Sequence, residues 1–312
     1  MSEYQYYEFV ALDQPLDAQA QAEVRSLSTR AEITATRFVN SYNWGDFRGD
    51  PNQLMERHYD AHLYLANWGT RRIMLRLPLG LLDLETAERY CVSDQVTAWT
   101  AGQHVVLSLT NDDESGGWDY DPEVSLSSIV GIRDELAGGD RRALYLAWLA
   151  GYGIWEHDED AFDQDEDDEL EPPVPPGLRT LTASQHELAG FLHLDEDLLA
   201  VAAEASPPLP DHSNDSEQLA TWLADLPVSE KNRLLMQVAQ GRAATARMEI
   251  LRRFRDVTAP AVAAPGRRTV ADLLDSAWRR RDGRQRQEAE QRAEEGSPPR
   301  TRPSPRPPET TG

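Results

Sequence analysis

Two histidines stand four residues apart, a spacing that would place both imidazoles on one face of a helix and could bind a metal ion. His58 and His62 flank Asp60 in the sequence His-Tyr-Asp-Ala-His. No glutamate follows the first histidine, as it does in the helix motif of zinc hydrolases, and no third ligand is evident. We therefore expect ordinary packing and no bound metal, and we keep a metal-dependent hydrolase that uses these three residues as the second alternative function.

Nucleophilic catalysis has no recognisable motif in the chain. There is no Gly-x-Ser-x-Gly elbow and no glycine-rich phosphate loop before Lys-Ser or Lys-Thr. The single cysteine, Cys91, stands between Tyr90 and Val92, where a buried small side chain is the ordinary interpretation. The sequence thus favours a protein that is not an enzyme and that needs no cofactor.

The tripeptide Asn-Trp-Gly occurs twice, at 43–45 and 67–69, each time at the end of a predicted strand. If both turns lie at one edge of the sheet, Trp44 and Trp68 form a recognition surface with the charged residues that follow them, because Trp and Arg supply the largest anchoring energies at interfaces. The alternative is that glycine meets the turn geometry while both indoles pack against the core. The charged residues of this predicted surface are Asp46, Arg48, Arg71 and Arg72.

Charge is unevenly distributed along the chain. The formal net charge is -23, which argues against a protein that mainly wraps nucleic acid, yet residues 231–312 carry 18 basic and 10 acidic side chains. Accessory nucleic-acid binding by this basic arm is therefore the first alternative function. Residues 156–171 carry 11 acidic and no basic side chains, so the arm could equally associate with this acidic segment. The predicted basic patch consists of Arg252, Arg253, Arg255, Arg279, Arg280 and Arg281.

A scaffold for these residues is predicted by the hydrophobic pattern of residues 1–155, called the head below. A strand at 4–12, a helix that Asp17 caps and that runs to about Leu27, and a second strand at 33–42 give a β-α-β start. Asp50 and Pro51 form the N-cap and first-turn pair of another helix. We therefore predict an α+β fold with a mixed sheet and helices in the head.

Two β-hairpins are predicted after this start. In the first, Gly69 and Thr70 suit a two-residue turn, which would place Tyr64 opposite Leu75. In the second, Ala101 and Gly102 join two strands and would place Trp99 opposite His104.

Beyond the head the sequence predicts helices only. The last of them has apolar residues at positions i, i+3, i+4, i+7 and i+8, which is one face that we expect to dock on a partner. That face consists of Val270, Leu273, Leu274, Ala277 and Trp278. The predicted divisions are the head (1–155), an acidic, Pro-rich linker (156–177), a small helical domain (178–256), a linker (257–267), an amphipathic then charged helix (268–295) and a disordered tail (296–312).

Three segments of the first 110 residues resemble a family of uncharacterised bacterial proteins. They are Glu-Tyr-Gln-Tyr-Tyr-Glu-Phe-Val-Ala-Leu-Asp at 3–13, Thr-Arg-Phe-Val-Asn-Ser-Tyr-Asn-Trp-Gly-Asp-Phe at 36–47, and Leu-Ala-Asn-Trp-Gly-Thr-Arg-Arg at 65–72. The resemblance is weaker in the helical remainder. Because no activity is known for that family, it implies no catalytic residues; it implies a bacterial, cytoplasmic origin.

A cytoplasmic location is also predicted by composition. One cysteine cannot form an internal disulfide, the N-terminus lacks a basic region followed by an apolar stretch, and the longest apolar run, 143–154, is far below the about 20 residues that span a bilayer. The leading hypothesis is a non-enzymatic cytoplasmic protein-interaction or scaffold protein. Its expected partner is another protein, and no membrane contact is expected.

Overall fold

The structure is a computed structural model that describes residues 3–112, 126–153, 169–209, 215–258 and 268–295. It is 49% helix and 20% strand, which confirms the α+β class. Most of the predicted acidic segment, most of the linker at 257–267 and the whole predicted tail lie outside the described residues. Within the described ranges, no helix is both long enough and apolar enough to cross a bilayer.

The sheet has seven strands in the order β2-β3-β1-β4-β5-β7-β6. Every strand pairing in it is antiparallel, which corrects the predicted mixed sheet. The β-α-β start fails to give a parallel pair because the short β2–β3 hairpin reverses the chain before β3 joins β1. The strands are β1 (Gln5–Val10), β2 (Glu32–Ile33), β3 (Arg37–Tyr42), β4 (Ala61–Ala66), β5 (Thr70–Pro78), β6 (Val96–Ala101) and β7 (His104–Asp112).

Helices lie on both faces of this sheet. The Asp17 carboxylate accepts a hydrogen bond from the Ala20 amide at 2.8 Å, and Asp50 caps the next helix, so both predicted N-caps are confirmed. The helices are α1 (Ala18–Leu27), α2 (Pro51–Arg57), α3 (Leu84–Glu88), α4 (Leu126–Ile129), α5 (Gly131–Ala137), α6 (Arg142–Gly153), α7 (Ala183–Phe191), α8 (Glu196–Ala205), α9 (Asp215–Asp225), α10 (Val228–Ala239), α11 (Ala243–Thr258) and α12 (Val270–Glu295).

Both predicted hairpin registers are wrong. Tyr64 pairs with Arg72 because the first loop has three residues, 67–69, between β4 and β5. This three-residue shift moves Tyr64 to the sheet face opposite that of Leu75, since side chains alternate along a strand. In the second hairpin Trp99 pairs with Val106, because the turn begins at Gly102, whose φ is +61°.

Two hydrophobic cores form, one on each sheet face. The smaller one lies under α1 and α2 and is rich in aromatic rings. The larger one includes Leu75 and Trp148 from the head, and Leu188, Met248 and Leu273 from beyond it. This core therefore continues across the predicted boundary at 156–177.

The Pro-rich part of the predicted linker packs against the head. Pro172 and Pro175 are buried, and the Tyr90 hydroxyl donates to the Pro173 carbonyl at 3.0 Å. Proline has no N–H group, so a run of prolines can be buried without leaving amide donors unsatisfied. The Pro-rich part of the predicted linker is thus packed against the head, while residues 156–168 lie outside the described residues.

Candidate interaction surface at the two Asn-Trp-Gly turns

The two Asn-Trp-Gly turns lie at the same end of the sheet. Tyr42, which precedes the first turn, and Ala66, which precedes the second, both pair with Gln5 on opposite sides of β1. Because β3 and β4 are each one strand away from β1, the two turns begin roughly 10 Å apart. Trp44 is 74% exposed and Trp68 is 41% exposed, so neither indole is buried in the core.

Glycine shapes both turns. Gly45 has a φ of +79° and Gly69 a φ of +106°, in the left-handed region that side chains with a Cβ rarely adopt. Asn67 fixes the second turn: its side-chain Oδ1 accepts from the backbone N–H of Tyr4 at 3.0 Å, and its backbone N–H donates to the Tyr4 carbonyl at 3.0 Å. Glycine thus meets the turn geometry, as the alternative interpretation expects, but the two indoles are exposed and do not pack in the core as that interpretation requires.

A buried glutamine anchors the first turn. Gln5 is 4% exposed, and its Oε1 accepts from the Tyr7 hydroxyl at 2.7 Å and from the Tyr64 hydroxyl at 3.1 Å. Its Nε2 donates to Asp46 Oδ1 at 2.9 Å. Burial raises the pKa of Tyr7 to about 12 and also raises that of Tyr64, so both hydroxyls remain donors at neutral pH. Sequence reasoning missed Gln5, whose only signal is a polar residue among aromatic ones in β1.

The arginines after the second turn point to different faces of the sheet. Arg72 Nε donates to Ser108 Oγ at 2.7 Å, and its Nη2 donates to Asn52 Oδ1 at 2.9 Å. Burial lowers the pKa of Arg72. Arg71 lies on the other face because successive side chains alternate in a strand, and Arg48 is exposed beyond the first turn. Arg72 therefore connects the sheet to α2. Of the residues predicted to form the recognition surface, Arg72 does not belong to the exposed surface at the turns.

At the opposite end of the sheet, sequence analysis missed a buried network of ion pairs. Asp60 is 1% exposed, and its Oδ2 accepts from the amides of Leu12 and Asp13 at 2.7 and 2.9 Å. Its Oδ1 accepts from Arg76 Nη2 at 2.8 Å. Burial alone would raise the pKa of Asp60, but the Arg133 and Arg76 guanidiniums outweigh it and hold that pKa below its ordinary value.

Arg133 extends this network to the helices. Its Nε donates to the Arg76 carbonyl at 2.7 Å, and its two Nη atoms bind both carboxylate oxygens of Asp13, at 3.0 and 2.5 Å. Thr245 Oγ1 of α11 also donates to Asp13, at 3.4 Å. The network thus links β5, α5 and α11. Because the charged groups of this network already bind one another, its role is structural: it holds β5, α5 and α11 together.

The His-Asp-His set does not converge on one point. His62 is fully buried, with its ring stacked on Phe9 at a centroid distance of 3.9 Å and its Nδ1 2.9 Å from the Glu8 carbonyl. His58 Nε2 instead lies 3.3 Å from a carboxylate oxygen of Glu23. Burial lowers the pKa of His62 to about 3, so this imidazole is neutral. In the described part of the chain, no three metal-binding side chains are grouped to hold an ion.

The apolar face of the last helix packs on its own chain. Val270, Leu273 and Ala277 are buried, and Leu274 packs against the same core, where α12 contacts α8. Only Trp278 is substantially exposed among the five predicted docking residues, at 47%. This packing corrects the expectation that the face is free for a partner: α8 presents a complementary apolar side, which the sequence pattern of α12 alone could not reveal.

Arginines of the basic patch are ion-paired within the chain. Arg280 Nε lies 3.4 Å from an oxygen of Asp197, and Arg281 pairs with Asp195, both at the start of α8. Arg284 Nη2 also binds Asp197, at 2.7 Å. In the described residues the basic arm therefore pairs with the N-terminal turn of α8. It also pairs with the end of the predicted acidic segment, 156–171, because Arg268 Nη2 binds Glu171 Oε1 at 2.7 Å; residues 156–168 of that segment lie outside the described residues.

The other arginines of the predicted basic patch either pair with nearby carboxylates or have side chains outside the described residues. Arg279 pairs with Asp275 at 3.3 Å, and Arg253 pairs with Glu230 at 2.6 Å. Arg252 is half-buried, and the side chain of Arg255 lies outside the described residues. These pairings compensate much of the positive charge on which the nucleic-acid alternative depends.

Comparison with known proteins gives no match: no protein family, no curated protein and no solved structure matches the chain. The resemblance of residues 3–13, 36–47 and 65–72 to uncharacterised bacterial proteins therefore stays a prediction. Any role for the two turns must be inferred from their geometry.

Proposed function

We propose that this chain is a non-enzymatic cytoplasmic protein-interaction or scaffold protein that contacts another protein through its two Asn-Trp-Gly turns. The observation that carries the proposal is the 74% exposure of Trp44 on a turn with fixed geometry. An exposed indole on a mobile loop would lose much of its binding energy to ordering. Here Gly45 sets the turn, and Asp46 is hydrogen-bonded to the buried Gln5.

The arrangement of the surface supports recognition of a protein. Trp68 lies on the neighbouring turn, which Asn67 ties to the backbone of Tyr4. Two aromatic anchors on turns that begin roughly 10 Å apart fit within a standard interface, where Trp side chains are enriched among the hot spots. Arg48 adds an exposed cation beside the first turn.

The alternatives have less support from the contacts. Nucleic-acid binding by the basic arm stays a prediction, but Arg280, Arg281 and Arg284 already pair with carboxylates of α8. A metal-dependent hydrolase would need His62 and Asp60 to turn towards one ion, whereas each of them is held by other groups.

The experiment is capture of binding proteins by the full chain and by the double variant Trp44→Ala/Trp68→Ala, quantified by mass spectrometry. We expect partners of the wild type to be lost from the double variant. Trp278→Ala is the matched control, because it removes another exposed indole far from the turns in sequence. Retention of the same partners by the double variant, with unfolding of all three proteins unchanged, would refute the proposal.

A further inference from the structure

The helices α9, α10 and α11 form a unit with its own hydrophobic core, called the lid below (Asp215–Thr258). Leu234 of α10 and Ala246 and Phe254 of α11 are buried, yet none of these three belongs to either of the two cores on the sheet. The ring of Trp222 in α9 packs against that of Phe254, with centroids 5.9 Å apart. The apolar contacts that join the three helices of the lid are therefore separate from those that hold the head.

Ion pairs between α10 and α11 hold the same unit together. Arg233 Nη2 lies 2.7 Å from Glu249, and Arg253 lies 2.6 Å from Glu230 and 2.7 Å from Glu249. These side chains are partly exposed, so each pair alone contributes little, but the four charges form one network. Every partner in this network belongs to the lid, so its bonds do not depend on how the lid contacts the head.

The lid contacts the head through another side of α11. Met248 is 1% exposed and is, among the described side chains of the lid, the one that belongs to the larger core, where α11 lies on α5. Thr245, which donates to Asp13 at 3.4 Å, is three residues earlier and shares this side of the helix. Ala246 and Phe254 are eight residues apart and share the side that packs within the lid.

The buried network around Asp13 holds α11 less tightly than it holds β5 and α5. The bond from Thr245 is longer than the bonds of Asp13 to Arg133, at 3.0 and 2.5 Å, and it joins a neutral hydroxyl to a carboxylate that already has a charged partner. Charge-assisted hydrogen bonds are the stronger ones. The contact between the lid and the head is thus small and is its weakest part.

We propose that the lid separates from α5 as one body while its three helices stay folded. The lid keeps its own core and ion pairs in both positions, and the side of α11 with Thr245 and Met248 is the contact that opens. A small contact between two folded units allows them to move relative to each other, and regions with few buried apolar contacts open at the lowest free energy. The chain enters and leaves the lid through residues 207–214 and 259–267, each of which contains prolines, as boundaries between folded units commonly do.

Separation of the lid changes what the head exposes. Met248 and the apolar surface of α5 that it covers become accessible, and Asp13 loses its bond to Thr245. The bonds of Asp13 to Arg133 remain, so α5 stays joined to the rest of the head. The lid thus controls access to the apolar surface near Asp13 while the head stays folded.

The first test measures how fast a buried thiol reacts with an aromatic disulfide reagent in the full chain, with Cys91→Ser as the background. Met248→Cys should react at least about tenfold faster than Leu234→Cys, because the first thiol needs only separation of the lid and the second needs unfolding of the lid. Leu234 is the matched control, because it is buried inside the lid at 6% exposure. Leu188→Cys reports opening of the head, because Leu188 is fully buried in the larger core.

Two results of this test would overturn the proposal. Equal rates for Met248→Cys and Leu234→Cys would show that the lid unfolds when it opens. A rate for Met248→Cys no higher than that for Leu188→Cys would show that the lid stays on α5 until the head itself opens.

The second test measures distances between spin labels and needs no thiol at the contact. One pair of labels joins the head to the lid, at Ala22→Cys and Ala220→Cys, and the other lies within the lid, at Ala220→Cys and Ala243→Cys; all three alanines are exposed. Met248→Ala should lengthen and broaden the distances of the first pair and leave those of the second pair unchanged. Unchanged distances in the first pair, or an equal change in both pairs, would overturn the proposal.

Discussion

Acid should destabilise this protein at a pH well above that at which its carboxylates protonate, because of His62. Burial lowers the pKa of this imidazole from its ordinary 6.5 to about 3. At a pH between these two values, His62 is neutral in the folded chain and protonated in the unfolded chain. Between these two pKa values the unfolded state binds more protons, and stability must fall as the pH falls. Full protonation would cost about 5 kcal/mol, and at a pH of about 5 the loss is already about 2 kcal/mol.

The assay is urea unfolding followed by tryptophan fluorescence near pH 7.5 and near pH 5, for the wild type and for His62→Asn. The asparagine amide can still donate to the Glu8 carbonyl but does not titrate. The variant is expected to be less stable at neutral pH, since it loses the stacking on Phe9, and to lose about 2 kcal/mol less than the wild type on acidification.

The control for this prediction is His186→Asn, which removes an exposed imidazole and should leave the pH dependence of the wild type unchanged. Burial also lowers the pKa of His58 and of His104, so some acid sensitivity should remain in His62→Asn. The reasoning would be refuted if His62→Asn and the wild type lost the same free energy of unfolding between the two pH values.

Two further predictions concern the helices and the buried charges. Asp60→Asn should lower the free energy of unfolding by about 3–5 kcal/mol, because it leaves Arg76 and Arg133 buried with less negative charge. A loss near zero in urea unfolding would contradict the structural role of the buried network. Leu273→Ala should cost about 2–5 kcal/mol and Trp278→Ala much less, because Leu273 is 1% exposed and Trp278 is 47% exposed. Equal effects would show that α12 does not pack on α8 as described.

Local signals allowed much of the fold to be predicted from the sequence. Asp17 and Asp50 mark helix starts because an N-cap needs only a side-chain oxygen next to the free amides of the first helical turn, which are close in sequence. Both caps are present. The apolar pattern of α12 correctly gave its buried face. It could not indicate that the partner was α8 of the same chain, since amphipathicity specifies that a face is covered and not by what.

Features that depend on distant residues were not predictable. The buried network joins Asp13 to Arg133, which are 120 positions apart and belong to no motif. The sheet register depended on the position of the loop, which is 67–69 in place of the predicted 69–70, and a register error of an odd number of residues exchanges the faces of the sheet. At the candidate surface, the tripeptide repeat found the two indoles, but it gave no sign that Arg72 would bind Ser108 and Asn52.

The central claim is that the turns containing Trp44 and Trp68 form a contact for another protein. The most direct measurement is calorimetric titration of a captured partner against the full chain and against Trp44→Ala. A hot-spot indole contributes at least about 2 kcal/mol, so the variant should bind at least about 30-fold more weakly, while Trp278→Ala binds like the wild type. Equal affinities of the wild type and Trp44→Ala would contradict the claim.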